Sequence, residues 1–121
     1  GSPAMNMLPG RLEPGDRTVF VAEDGTKLPV ADHGPAAAGR DLVGGLRPEF
    51  IRLDAAGLPV EVIVTEPTGY ETHMMVKLGG VEANCVFRER VQARPGEKIT
   101  VGIDADRVHL FDKETGKRLS A

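Results

Sequence analysis

Aromatic side chains make up only 4% of the 121 residues, and the chain has one cysteine and no tryptophan. Each shortage excludes something. A reader of single-stranded nucleic acid needs aromatic platforms on which bases stack, and this chain offers few. The lone Cys85 cannot close an internal disulfide, so nothing requires an oxidising compartment, and a cytosolic location is expected. No apolar run approaches the roughly 18 residues of a membrane span, and the N-terminus does not read as a signal segment. A dominant charge is lacking too: 15 Lys and Arg against 18 Asp and Glu give a formal net charge of −3. That balance argues against nucleic acid as a partner, because such affinity comes from basic clusters that neutralise phosphates.

Signatures of chemistry are also missing. None of His33, His73 and His109 has a second His, Cys or carboxylate at metal-ligand spacing, so no metal site is expected. Cys85 alternates with Val81, Ala83 and Phe87 and reads as a small buried apolar group rather than a nucleophile. No G-x-S-x-G elbow and no G-x-x-x-x-G-K-[ST] phosphate loop occurs, and the pairs Gly44-Gly45 and Gly79-Gly80 stand between strands, where glycine serves turn geometry. The carboxylates are scattered through turns and strand faces. The expectation is a chain with no catalytic residue and no cofactor of its own.

What the sequence does contain is a series of short strands with turn chemistry between them. TVFVAEDGTKLPV sets Asp24-Gly25 between two apolar runs, a strong hairpin signal. A loop, DHGPAAAGRD, follows. FIRL is expected as a strand, with a break at Gly57 to Pro59 before VEVIVTE, in which apolar residues at period two suit a strand packed on both sides. In TGYETHMMVKLGG, Thr72, Met74, Val76 and Leu78 oppose His73, Met75 and Lys77, and a hairpin returns through Val81, Ala83, Cys85 and Phe87. ARPGEK reads as a Pro-Gly turn before KITVGI. In RVHLF, Val108 and Leu110 take one face, leaving His109 and Phe111 outward, suited to a subunit contact or, by preference, to packing between subdomains. The opening GSPAMNMLPG, with two prolines and no periodicity, reads as a linker over residues 1–10, and residues 11–121 as the folded unit. Eight or nine short strands and no helix predict an all-β fold closed into a small barrel, because open sheet edges invite unwanted pairing.

One stretch stands apart. GGLRPEFIRL places Pro48 between two strand-like runs, where a residue without an N–H cannot join a central ladder and pushes Arg47 toward an extended conformation. Arg47 offers five fixed donors that suit a carboxylate, and Glu49 two acceptors. Three readings stand side by side: an exposed local pair that shapes the bend, worth about 0–1 kcal/mol; a docking edge; or part of a small-ligand site.

Four segments, GSPAMNML, GLRPEFIRL, VTEPTGYETHMMVKLGG and RVHLFDKETGKRL, carry a resemblance that spans essentially the whole chain. It resembles the C-terminal regulatory region of carbohydrate-importing ABC transporter ATPase subunits, of the maltose and glycerol-3-phosphate types. The resemblance implies an OB-type β-barrel with additional strands, the transport-associated OB (TOBE) domain, alternatively described as two intertwined OB-like subdomains. It implies that residues 1–10 link to a nucleotide-binding domain that is missing here, together with its ATP and Mg, and that this fragment is not an enzyme although the whole subunit is an ATPase. It implies a cytoplasmic module, peripheral to the inner membrane, that holds two copies of the subunit together as a homodimer. Permease subunits would be met through the missing domain, and in maltose-type members this region receives a cytoplasmic regulatory protein. Regulatory sensitivity in the family falls on the glycine and glutamate of G-x-R-P-E, here Gly45 and Glu49. The interface candidates are therefore Gly45, Arg47, Pro48, Glu49, His109 and Phe111. Related domains of oxyanion importers bind their anion between subunits, so sensing of an oxyanion or sugar phosphate is the alternative function.

Overall fold

Reversals of the chain fall where the local residues favour them. Gly79 and Gly80 both lie in the left-handed region, with φ of 65° and 86°, and form a two-residue loop between Leu78 and Val81, which pair directly. A tight hairpin loop with positive φ at both positions matches the right-handed twist of its strands, and glycine adopts it without a steric penalty. At ARPGEK the Glu97 N–H donates to the Arg94 carbonyl at 3.0 Å and closes the expected turn around Pro95-Gly96.

The structure, a computed structural model, describes residues 4–31 and 38–119. His33 and most of the DHGPAAAGRD loop lie outside the described residues, as do Gly1 and Ser2. Among those described are nine strands: β1 (Asn6–Glu13), β2 (Val19–Ala22), β3 (Lys27–Pro29), β4 (Leu42–Leu46), β5 (Arg52–Thr68), β6 (Glu71–Leu78), β7 (Val81–Phe87), β8 (Lys98–Gly102) and β9 (His109–Asp112). Two short 3-10 turns, Pro48–Phe50 and Ala105–Arg107, complete the inventory, and none of these helical turns is long enough to cross a membrane. The strands pair antiparallel in two sheets, ordered β3-β2-β1-β4-β9 and β7-β6-β5-β8. The all-β expectation holds.

Three expectations fail. Gly44 and Gly45 do not stand between strands in a turn: both lie inside β4, and neither has a positive φ. Residues 6–10 are not a linker: they belong to β1, the middle strand of the five-stranded sheet, with Asn6 and Leu8 buried. Pro9 is accommodated because pairing of β1 with β2 begins only at Gly10, so on that side the ladder starts after the residue that lacks an N–H. The break at Gly57 to Pro59 is likewise a bulge within the 17-residue strand β5 and not a strand end. There the backbone of Gly57 runs so close to the Val101 carbonyl that a Cβ would overlap it, and the Asp54 carboxylate accepts the Ala56 N–H at 3.0 Å.

Both sheets contribute to one apolar core, with Leu8, Phe20, Leu42 and Leu110 from the first and Val62, Met74, Val76 and Val101 from the second. Phe20 is its largest fully buried side chain. From β2 its ring lies against a glycine on the neighbouring strand β1 and another on β4, the next strand beyond: a Cβ at Gly10 would stand 2.5 Å from Cζ, and one at Gly44 would stand 3.1 Å from Cε1. Two missing side chains thus make room for one large ring. The sheets are tied by a polar contact as well. The buried Asn6 side chain donates to the Asn84 carbonyl at 2.9 Å and accepts the Asn84 N–H at 2.8 Å, so its amide imitates a strand partner for β7.

Candidate functional site

The path from one sheet to the other runs through Arg47 to Ile51. Arg47 is extended (φ −74°, ψ 136°), as a residue before proline prefers, and Pro48 opens the 3-10 turn where its missing N–H has no partner to lose. The turn closes with the Phe50 N–H donating to the Arg47 carbonyl at 3.0 Å. Pro48 and Ile51 are buried, and the turn packs against β7. Arg47 and Glu49 project outward, both exposed. They do not pair: among the described residues the ion pairs are Arg11–Asp41, Arg40–Asp112, Arg52–Asp54, Arg52–Asp104, His73–Glu71 and Lys77–Glu61. The reading of Arg47 and Glu49 as a local pair is thereby set aside.

Gly45 lies one strand away from Met7 on one side and His109 on the other, on the face of the sheet turned away from the core. A Cβ there would collide with Met5 Sδ and stand 2.9 Å from Phe111 Cε2. Gly45 is not in a left-handed conformation, so its use is close approach, the second of the two roles that glycine offers. Met5 and Phe111 close over it. With Val43, which pairs with Pro9 and Phe111, and with Met7, 49% exposed, they make an apolar strip along the outer face of β1, β4 and β9. Phe111 therefore sits on the outside of its own sheet beside Met5, and the preferred expectation that it fills a space between subdomains is corrected.

His109 is half-buried on the same face. Burial, then the positive charges of Arg118, Arg47 and Arg107, holds its imidazole below the usual histidine range. Arg107 lies over the Phe50 ring, 3.9 Å from the centroid, and Arg118 belongs to a segment bridged to Phe111. The structure thus gathers all six interface candidates at one corner and strip. It adds Met5, Arg107 and Arg118, which the sequence reading did not single out. Alternation along RVHLF was signal enough for His109 and Phe111, but nothing local announces that Met5 lands beside them.

Among the described residues no three His, Cys, Asp or Glu side chains meet as a metal site would require. Cys85 is 1% exposed, and burial pushes its thiol up to about 12. The expected result is that Cys85 resists thiol reagents at pH 8 in the folded chain and reacts stoichiometrically once denaturant is added, as followed by absorbance of the released chromophore. Prompt reaction under native conditions would contradict that burial.

Known proteins resemble the chain in two overlapping regions. A family model described as the MalK OB fold domain matches residues 1–51, and one described as the TOBE domain matches residues 44–111. The chain belongs to the TOBE-domain family. The two matches overlap at residues 44–51, the corner that carries the chain from one sheet to the other. Relatives of this TOBE chain are ABC transporter ATP-binding proteins. It is 43% identical to y4oS of Sinorhizobium fredii over 99% of its own length and 32% of that protein's. Against the sn-glycerol-3-phosphate import ATP-binding protein UgpC of Escherichia coli the identity is 35%, over 98% of the chain and 34% of the relative. The chain thus spans about a third of the curated relatives it matches. Among solved structures, the cytoplasmic molybdate-binding protein ModG shares the fold of this TOBE chain, with a TM-score of 0.69 over 88% of the chain and 95% of ModG at 20% identity.

Proposed function

We propose that this chain is the regulatory and dimerisation module of the ATP-binding subunit of a sugar-type ABC importer. Its relatives carry that ATP-binding role, and the chain's matched domains include no nucleotide-binding part. The observation that carries the reading is the corner itself. Arg47 and Glu49 are exposed and mutually unpaired, beside an apolar strip formed by Met5, Met7, Val43 and Phe111 around Gly45. In a two-fold contact the same patch meets itself, so Arg47 of one copy can take Glu49 of the other, and the strips bury one another. A contact of this kind keeps two ATPase halves at high effective concentration while ATP drives their closure. A cytoplasmic regulatory protein that prefers one arrangement shifts the cycle by its differential affinity. The module works in the cytoplasm at the inner membrane, and permease subunits meet the remainder of the subunit, where ATP and Mg bind.

Charge reversal tests this. In the intact subunit Arg47→Glu alone and Glu49→Arg alone are expected to weaken self-association, and the double reversal to restore it, as sedimentation equilibrium reads. Association unchanged by all three variants would remove the reading.

A second reading, sensing of an oxyanion or sugar phosphate, draws on the fold shared with ModG and on an open cleft of about 570 Å³ lined by Thr65, Arg90, Arg94 and Glu97. Calorimetric titration with molybdate, phosphate and glycerol 3-phosphate separates the two: micromolar binding would favour this one.

A further inference from the structure

Among the described residues the cations around His109 meet no counter-charge, although Arg107 stacks on the Phe50 ring. Arg47 arrives from the turn after β4, Arg107 from the second 3-10 turn, and Arg118 from the segment bridged to Phe111. None of the three has an ion pair with a carboxylate among the described residues. Like charges gathered without a counter-charge repel one another, and a chain with net charge −3 has carboxylates enough to quench them. They are nevertheless left open, on a sheet edge bordered by Phe50 and Phe111. Arginine beside aromatic rings is the composition that dominates binding energy at protein interfaces. All three arginines are exposed and none lines the Arg90 cleft, so the cluster is an open surface that suits an extended anionic partner better than an enclosed small ion.

We propose that the Arg47, Arg107 and Arg118 cluster around His109 is the docking surface for a carboxylate-rich segment of a partner protein, lying across β9 and the Pro48 corner. The inference rests on the reading of this edge as a protein-association surface and adds a different occupant. Guanidinium forks match carboxylates in pairs, and Arg47 is the residue shared with the proposed contact between copies. An acidic segment there competes with Glu49 of the second copy.

His109 gives the docking a pH signature. The charged groups that face it are Arg118, Arg47 and Arg107, all cations, and they favour the neutral ring. A carboxylate-rich partner reverses that surrounding and raises the affinity of the ring for a proton. Docking then takes up a proton, and by linkage the affinity rises as the pH falls from about 8 to about 6, above the range where glutamates themselves protonate.

The test titrates this chain with a decaglutamate peptide at pH 6 and pH 8 at fixed ionic strength, following amide resonances, with inorganic phosphate and a ten-nucleotide oligothymidylate as comparators. Shifts confined to residues around Arg47, His109 and Arg118, with affinity about threefold to tenfold higher at pH 6, are expected. Arg107→Gln with Arg118→Gln should weaken binding by about tenfold or more. His109→Gln should bind with the same affinity at both pH values. Scattered shifts, indifference to the double arginine variant, equal competition by phosphate, or tighter binding of the oligonucleotide would each overturn the proposal. Sedimentation of the same samples keeps the two readings apart. Peptide binding by this chain together with an intact subunit that never self-associates in the absence of peptide supports the docking surface while removing the homodimer.

Discussion

Replacing Phe20 with alanine is expected to lower the folding stability by about 3–5 kcal/mol, toward the upper end of that range for truncation of a buried aromatic. The cost of such a change depends on how far the surroundings can collapse into the space. Here they cannot go far. The fully buried ring reaches from β2 across the core face of β1 and β4 and faces Gly10 and Gly44, which have no side chains to move inward. Strand pairing holds their backbones in place, with Gly10 opposite Ala22 and Leu42, and Gly44 opposite Leu8 and Leu110. Urea denaturation read by far-UV circular dichroism gives the number, and a loss under about 1 kcal/mol would mean that the sheet relaxes far more than close packing allows.

Gly45→Val is expected to do the opposite: to spare the fold and damage association. The atoms a new side chain would strike belong to Met5 and to the Phe111 ring edge, both on the outer face, and neither is a core contact. They can swing away. In doing so they would dismantle the strip that the proposed two-fold contact would bury, and a protruding valine would keep a partner sheet at a distance. Self-association of the intact ATP-binding subunit should weaken by more than about tenfold, equivalent to about 1.4 kcal/mol, with the denaturation midpoint changed little. A variant that associates as tightly as the parent would show that the Gly45 face is not the contact.

The sequence was legible wherever the determinants are local. Asp24-Gly25, Gly79-Gly80 and Pro95-Gly96 close turns at the expected places, and the alternation from Thr72 to Leu78 puts those four residues inside the core face because period two is a property of the strand itself. Where the determinant is a distant strand, local signals misled. Pro3, Pro9 and the flanking glycines argued for a linker at residues 1–10, but β1 is a strand because β2 and β4 come to pair with it. Gly57 looked like a stop, yet what it permits is the approach of Val101 on β8. The candidate site divides in the same way. Arg47 to Glu49 could be singled out from the proline and the two charges, and His109 and Phe111 from alternation. Met5, Arg107 and Arg118 join them only through the register of β1, β4 and β9 and the Phe111–Arg118 bridge.

The central claim is a contact between two copies at the Pro48 corner that persists while ATP binds and leaves. Spin labels at Asp106→Cys, an exposed position beside the corner that leaves Arg47 and Glu49 in place, measure it by dipolar spectroscopy in the intact subunit assembled into its transporter, with Cys85 silent because it is buried. The account requires one narrow, short inter-label distance that is the same with and without ATP. A broad or long distance, or one that lengthens whenever the nucleotide-binding domains part, would contradict it.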